Sequence, residues 1–392
     1  MKITLIANSN IEDGGGHSQS LTAISQFKKI TNEIYDLEIL SMTPENKNLK
    51  SLMGIKHSTY NVSFLDKLFL RLLDNNLFIE ILNKFNIKSP FENRLKKIDT
   101  DLAYFLSPNN FCTILSDINY IVTVWDLCHR DFPEFPEVRE SFEFRIREKF
   151  YSKISNASLI ISDSDESSEN LSIRYGHDKN KIISIPFSFP KRLKSNLTPL
   201  EKILAKSFID SGFFFYPAQY WPHKNHFLIL EALRCLNEED IKVNFVFCGS
   251  DKGNLKKLKE ISKEFDISDQ IKFLGFVNEQ DLNALYQSCI AVVMPTFFGP
   301  TNIPPIEAWS YEKPLIYSNH LSINKLGSIM SIDPFSSKSI ANAIKDILNK
   351  NYDHELLIKN GLDELSILDK KRNQSEKLLL DFLEKFEHKI RC

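Results

Sequence analysis

Short apolar runs that alternate with helical patterns constrain the fold of this chain more than any other feature of its sequence. Runs such as residues 3–7, 121–125 and 243–248 are apolar on both sides and end in polar residues, which is typical of fully buried strands. Candidate helices follow many of these runs. Because strands that alternate with helices usually form parallel sheets, the sequence predicts an α/β fold.

The alternation occurs in two series, separated by a polar connection at residues 191–210. A length of 392 residues is also too great for one ordinary hydrophobic core. We therefore expect one α/β domain over residues 1–195, a second over residues 196–370, and a terminal helix over residues 371–392. Ligands of such sheets bind beyond the carboxyl ends of the strands, so the active site is expected in a cleft between the domains.

Charge excludes one class of partner. The chain has 49 basic and 51 acidic residues, a net charge of −2, and neither half is enriched in basic residues. A broad electrostatic surface for nucleic acid is therefore not expected. The balance leaves room for a small buried basic site that binds a phosphate group.

Cysteine and acidic spacing argue against a disulfide scaffold and against a bound metal. The 6 cysteines form no Cys-x-x-Cys pair, which fits a reducing cytoplasm. No signal peptide or membrane-spanning run is expected from the apolar pattern. The triplet Asp163-Ser164-Asp165 stands at a predicted helix start, where capping explains it better than metal binding.

Residues 64–97 have two interpretations. Leucine and phenylalanine recur there at helical spacing, and basic residues outnumber acidic ones. One interpretation is a pair of amphipathic helices that pack on the core. The other is a surface that meets a membrane or a lipid-linked ligand.

Three clusters of polar residues follow predicted strands. In residues 295–308, a Gly/Pro-rich loop leads into a helix near Pro304, whose free N–H groups would suit a phosphate, with Thr301 and Asn302 as additional donors. Glu307, one turn inside that helix, would accept hydrogen bonds from sugar hydroxyls. The alternative is an ordinary helix entrance that Glu307 stabilises.

The second cluster, residues 216–226, contains Lys224 at the start of a predicted helix. A lysine there is unfavourable for the helix dipole, so we interpret it as the cation for a diphosphate, with a surface lysine as the alternative. His223 and His226 lack a third ligand nearby in the sequence and do not indicate a metal site. In the third cluster, residues 122–136, Asp126 and His129 form either a reactive pair or, with Arg130 and Asp131, a loop network of salt bridges.

Two of these strings resemble the GT-B glycosyltransferases of the large retaining family 4, in particular a subgroup of bacterial surface-polysaccharide enzymes. They are Pro-Ala-Gln-Tyr-Trp-Pro-His-Lys-Asn-His at 217–226 and Gly-Pro-Thr-Asn-Ile-Pro-Pro-Ile-Glu-Ala at 299–308. The resemblance implies two Rossmann-like domains that face each other across a cleft. The first would bind a saccharide or lipid-linked saccharide acceptor and the second a nucleotide-diphosphate sugar, with the final helix crossing back to the first domain.

The resemblance also implies roles for individual residues. Lys224 would neutralise the diphosphate, Glu307 would contact the ribose, and Asp126, His129 and Lys224 would form the catalytic group. The residues expected to meet the donor are Gly15, Gly16, Gln219, His223, Lys224, Gly249, Thr301, Asn302, Ile303 and Glu307.

Three positions depart from the family pattern. Gly299 stands where the first glutamate of a Glu-x7-Glu motif is expected, Gln219 stands where an arginine is expected, and Trp125 replaces a histidine. His129 is then the candidate for the role of that histidine. Because these positions would lie near the donor sugar, the resemblance does not identify the donor base or the sugar.

The predicted reaction is transfer of a sugar, with retention of configuration and without metal or other cofactor, in O-antigen, capsule or similar synthesis. The enzyme would be cytoplasmic, with peripheral contact at the inner face of the membrane as a further possibility. Two alternatives are a degenerate protein that binds nucleotide sugar or glycan without turnover, and a GT-B epimerase or phosphorylase.

Overall fold

The computed structural model is an α/β structure with two parallel sheets, as the alternation of strands and helices predicts. It describes residues 1–8, 15–31, 34–43, 54–72, 80–82, 84–188, 197–299, 302–321 and 327–391. Thr301 and parts of the 64–97 segment lie outside the described residues.

Among the described residues, the first sheet has seven parallel strands. They are β1 (Lys2–Ala7), β2 (Asp36–Ser41), β3 (Lys56–Thr59), β4 (Leu102–Phe105), β5 (Asn119–Val124), β6 (Leu159–Ser162) and β7 (Ile182–Ser184). Their order is β3-β2-β1-β4-β5-β6-β7. Ile6 packs into the core on one face while Ile3 and Leu5 pack on the other, which is why the strands are apolar on both sides.

The second sheet has six parallel strands in the described part of the chain. They are β8 (Phe214–Pro217), β9 (Phe245–Cys248), β10 (Ile271–Phe273), β11 (Val292–Met294), β12 (Leu315–Ser318) and β13 (Met330–Ile332). Their order, β10-β9-β8-β11-β12-β13, reverses direction beside β8. Loops diverge at such a point, so a crevice is expected at the carboxyl ends of β8 and β11.

Helices cover the sheets. Those before the second sheet are α1 (Gly15–Thr31), α2 (Phe64–Leu72), α3 (Pro90–Lys97), α4 (Cys128–Asp131), α5 (Pro136–Arg139), α6 (Glu143–Lys153), α7 (Asp165–Tyr175) and α8 (Lys206–Ser211). Those that follow β8 are α9 (His226–Glu238), α10 (Leu255–Glu264), α11 (Glu279–Ser288), α12 (Ile303–Ser310), α13 (Ser337–Leu348) and α14 (His354–Arg391). Ser164 caps α7 through the backbone N–H of Ser167, as its sequence predicts.

The chain divides into two compact units, neither of which is continuous in sequence. The first contains Met1–His129, Ser141–Phe187 and Lys371–Cys392, and the second contains Arg130–Glu140 and Ser188–Lys370. The last part of α14 thus belongs to the first unit, where Leu379 and Leu383 are buried in its core. The segment Arg130–Glu140 belongs to the second unit although the residues on both sides of it belong to the first.

Candidate functional site

The loops that follow β8 and β9 meet at the carboxyl edge of the second sheet. The backbone N–H of Tyr220 donates to the carbonyl of Ser250 over 3.2 Å. Gly249 has a φ of +155°, and a Cβ there would lie 2.4 Å from the carbonyl oxygen of Ala218 and 2.7 Å from the nitrogen of Gln219. Glycine is therefore required at 249, and two predicted site residues, Gly249 and Gln219, lie side by side.

Asn225 fixes the turn that carries Lys224. It has a left-handed φ of +57°, and its buried amide donates to the carbonyls of Pro295, over 3.0 Å, and Pro334, over 2.8 Å. The hydroxyl of Tyr216 donates to the carbonyl of Lys224 over 2.9 Å. Since Pro295 and Pro334 lie in the loops after β11 and β13, the hydrogen bonds from Asn225 hold the turn at the edge of the sheet.

The side chains of Lys224 and Asn302 lie together at this edge. The ammonium group of Lys224 donates to Oδ1 of Asn302 over 3.0 Å. The amide nitrogen of Asn302 donates to the carbonyl of Gly299 over 2.9 Å and to the hydroxyl of Tyr317 over 2.8 Å. These bonds orient the Asn302 side chain, so that its oxygen faces the lysine.

Glu307 and the start of α12 lie next along the chain. Asn302 is the residue before the helix, Ile303 begins it, and proline follows in the first turn. Pro304 and Pro305 have no N–H, so Asn302 and Ile303 supply the backbone donors at this helix end, which together with the nearby Lys224 favour an anion. Glu307 is buried, and the hydroxyl of Tyr286 donates to its Oε2.

His223 has a partner that the sequence did not reveal. Its backbone N–H donates to Oε1 of Glu137 over 3.2 Å, and its ring Nδ1 is hydrogen-bonded to the same oxygen. The ring stacks on Phe298 with 3.9 Å between centroids. Burial alone would raise the pKa of the Glu137 carboxyl, but the hydrogen bonds from His223 hold it below its usual value.

The first unit brings Gly16 and Trp125 together. Gly16 lies at the start of α1 beside Gly15, and a Cβ on Gly16 would lie 3.1 Å from Cη2 of Trp125. Trp125 is one of the departures from the family pattern. Gly16 and the end of β5 therefore meet at the carboxyl edge of the first sheet.

His129 and Asp126 make their hydrogen bonds to different partners. The His129 side chain is fully buried, and its Nε2 lies 2.8 Å from Oε1 of Glu148 and 3.1 Å from the hydroxyl of Tyr175. Burial lowers its pKa, which favours the neutral ring. Asp126 accepts from the backbone N–H of Cys128 over 3.0 Å. This placement gives His129 a structural role, and the catalytic role of both residues stays a prediction.

Glu137 and the rings near it were missed because their contacts join segments that are far apart in the chain. Proline punctuation at 133 and 136 marks a loop but says nothing about its partner. Within the described ranges, His, Cys, Asp and Glu side chains do not gather in threes as a metal site would need. The helices described are also too short or too polar to cross a bilayer.

Comparison with known proteins identifies one domain. Residues 201–363 match the family model for glycosyl transferases group 1. An O-antigen chain mannosyltransferase, RfbU of Salmonella typhimurium, is 26% identical over 129 residues, which are 32% of this chain and 36% of that protein. O-antigen chain mannosyltransferase B of Escherichia coli is 23% identical over 236 residues, which are 58% of this chain and 61% of that protein. The chain thus spans less than two thirds of either relative.

The likeness of fold extends further than the likeness of sequence. The crystal structure of HepE from Anabaena, in complex with UDP-glucose, has a TM-score of 0.71 to this chain at 16% identity, and the match covers 97% of this chain and all of that one (100%). Such a match at low identity shows the fold. Residues 201–363 form a glycosyl transferases group 1 domain, and the chain as a whole has the GT-B fold.

Proposed function

We propose that the chain is a glycosyltransferase that moves a sugar from a nucleotide-diphosphate sugar to a glycan or lipid-linked saccharide in the synthesis of a bacterial surface polysaccharide. The family match over residues 201–363 and the O-antigen relatives support this class of reaction. The second unit binds the donor and the first binds the acceptor. We place the enzyme in the cytoplasm, with peripheral contact to the membrane that carries a lipid-linked acceptor.

One observation carries the proposal. Lys224 and the N-terminal end of α12 lie at the carboxyl edge of one sheet, and Asn302 touches both, because it accepts from Lys224 and precedes the helix. A cation beside the N–H groups of Asn302 and Ile303 is an arrangement that binds a diphosphate. This edge belongs to the domain that matches the family.

The proposed chemistry follows from charge. Breaking the bond between an anomeric carbon and a diphosphate leaves negative charge on the phosphate, and Lys224 and the helix end stabilise that charge. In other phosphate-transfer sites a metal ion performs this task. We propose transfer with retention of the anomeric configuration, in which the leaving phosphate helps to deprotonate the acceptor. Proton NMR of the product and turnover in the presence of a chelator test these two points.

Donor identity is best found with a panel of ligands. The two relatives are named for mannose, and HepE was crystallised with UDP-glucose. We therefore propose UDP and GDP sugars as the first donors to test. A ligand at 100 times its Kd that binds only the folded state adds about 2.7 kcal/mol to stability, so a thermal-shift panel of UDP, GDP, ADP and their sugars should single out the base.

Substitution of Lys224 is the test of the site. In Lys224→Ala, we expect release of nucleoside diphosphate to fall by at least about a hundredfold, because the leaving group loses its cation. Lys257→Ala, which removes an exposed lysine of α10, is the matched control and should keep full turnover. Equal turnover in Lys224→Ala and the native chain, with the right donor, would refute the phosphate role.

A second candidate function is binding without turnover. It is favoured by Gly299, because the carboxylate that the resemblance leads one to expect at this position is missing. Such a protein would bind a nucleotide sugar with a clear thermal shift, yet release no nucleoside diphosphate with any acceptor. Interconversion of free nucleotide sugars without an acceptor would instead identify an epimerase.

A further inference from the structure

We propose that Glu137 is a positioning residue of the donor site, which holds His223 and thereby keeps Lys224 directed at the diphosphate. The inference rests on the proposed function and adds to it a residue from outside the matched domain. It also gives the segment Arg130–Glu140 a role. This segment would be a structural part of the donor site although it lies far from that site in sequence.

Aromatic contacts hold the segment Arg130–Glu140 against the rest of the second unit. The ring of Phe132 stacks on Phe298 with 5.2 Å between centroids. Phe135 packs against both Phe297 and Phe298, each at 5.4 Å. Phe297 and Phe298 follow β11, in the loop that leads to Gly299. The segment therefore packs on the same loop that leads into α12.

Within this segment, the carboxylate of Glu137 is hydrogen-bonded to His223. Its side chain is only 6% exposed, and one carboxylate oxygen accepts both hydrogen bonds from His223. The other oxygen, Oε2, is buried and has no hydrogen-bond partner among the described residues. A buried carboxylate is costly unless it is paired, so His223 is the group that makes this burial tolerable.

His223 in turn links Glu137 to the lysine. The carbonyl of His223 accepts from the backbone N–H of Phe297 over 2.9 Å and from the hydroxyl of Thr296 over 3.3 Å. His223 is therefore fixed on both sides, by Glu137 through its N–H and ring and by the β11 loop through its carbonyl. Lys224 is the next residue, so a shift of His223 moves the backbone from which the ammonium group reaches Asn302.

A positioning role predicts a particular pattern of affinity. Lys224 is proposed to contact the terminal phosphate of the nucleotide, so displacement of the lysine lowers the affinity for a diphosphate more than the affinity for a monophosphate. A general loss of packing would weaken both ligands alike. The ratio of the two affinities is thus a readout that a merely structural role would not change.

The experiment measures Kd by calorimetry for UDP, UMP, GDP and GMP, in the native chain and in Glu137→Gln. We expect affinity for the preferred diphosphate to fall about tenfold or more in Glu137→Gln, the size of one charged hydrogen bond, with affinity for the monophosphate within about twofold of native. Glu134→Gln, at an exposed position of the same segment, is the matched control and should bind both like the native chain. Should Glu137→Gln not fold, Glu137→Asp, which keeps the charge but shortens the reach of the carboxylate to His223, takes its place with the same expectation.

A double variant tests whether Glu137→Gln lowers diphosphate affinity by displacing Lys224. In a Lys224→Ala background, adding Glu137→Gln should cost little further diphosphate affinity, because the group that it positions is gone. The inference would be overturned if Glu137→Gln lowered diphosphate affinity as much in the Lys224→Ala background as in the native chain. Native-like diphosphate binding by folded Glu137→Gln would also overturn it. Failure of the native chain to bind any nucleoside diphosphate is a distinct result, which would instead refute the proposed function.

Discussion

The loss of a carboxylate at Gly299 has a local explanation in the structure. Gly299 has a φ of +122°, and a Cβ there would lie 2.6 Å from the amide nitrogen of Asn302 and 2.7 Å from its oxygen. The Asn302 side chain thus fills the space that a side chain at 299 would take, and it uses that place to face Lys224. The sequence shows the departure from the family pattern but not the side chain that replaces it.

Gly299→Ala should therefore act on the lysine as well as on the backbone. We expect it to displace Asn302 and to weaken binding of nucleoside diphosphate by about tenfold, the loss of one hydrogen bond to a charged group. Gly253→Ala is a matched control, because Gly253 also has a positive φ, +95°, but a Cβ there meets nothing within 4 Å. In each variant, backbone strain is expected to lower the free energy of unfolding by about 1–3 kcal/mol.

Calorimetric titration and thermal unfolding separate the two effects. Gly253→Ala should lower stability and leave nucleotide affinity near native. If Gly299→Ala also kept native affinity, the position of Asn302 would not matter for binding.

At the scale of elements, apolar strands were predictable and polar or distant contacts were not. The runs that form β1, β5 and β9 are apolar on both sides because both faces of each strand are buried, so their composition alone predicts strands. Strand β3 reads Lys-His-Ser-Thr, lies at the edge of its sheet, and carries no apolar signal. The sequence predicts a terminal helix only over residues 371–392, but α14 begins at His354, where Leu357 is buried and Leu365 and Leu368 pack against the core of the second unit. The sequence of Arg130–Glu140 predicts a loop, because the rings that hold this segment, Phe297 and Phe298, come from the distant loop after β11.

The last turns of α14 should contribute strongly to stability. Leu383 is fully buried in the core of the first unit, beside residues of β1 and α1. Leu383→Ala removes that packing, and we expect a loss of about 2–5 kcal/mol in the free energy of unfolding. Leu378→Ala, five positions earlier in the same helix and 56% exposed, should change it by less than about 0.5 kcal/mol. Denaturant unfolding with the two variants side by side measures the difference, and equal losses would contradict the buried assignment.

For the whole molecule, the net charge of −2 agrees with the proposed donor site, which would rely on Lys224 and a helix end and would need no basic surface. The residues that form this edge, including Glu137, belong to the second unit. From the sequence, Lys224, Asn302 and Glu307 are predicted as site residues from their positions after strands and Gly249 from the resemblance, and their role in binding a donor stays a prediction. Their mutual bonds could not be predicted, because Asn302 and Tyr317 are joined only by the fold.

Membrane contact is the prediction that depends on the surface of the molecule. In the described part of residues 64–97, large apolar side chains are exposed, among them Phe64 at 77% and Phe85 at 65%. We expect the chain to sediment with vesicles that contain anionic phosphatidylglycerol, and the double variant Phe64→Ser/Phe85→Ser to sediment several-fold less. Ile34→Ser/Ile173→Ser removes two exposed apolar side chains elsewhere and is the matched control. Sedimentation that is equal in both double variants would contradict a specific membrane surface.

The discontinuous first unit also sets the order in which the protein is completed during synthesis. Leu379 and Leu383 pack in one core with Ile3 and Phe27, yet they leave the ribosome after the entire second unit. Domains usually fold in the order in which they are translated. Here the unit that is begun first is finished last, so the core around β1 stays open until nearly the whole chain has been made. A nascent chain stalled before residue 371 would have a complete second unit and an unfinished first one.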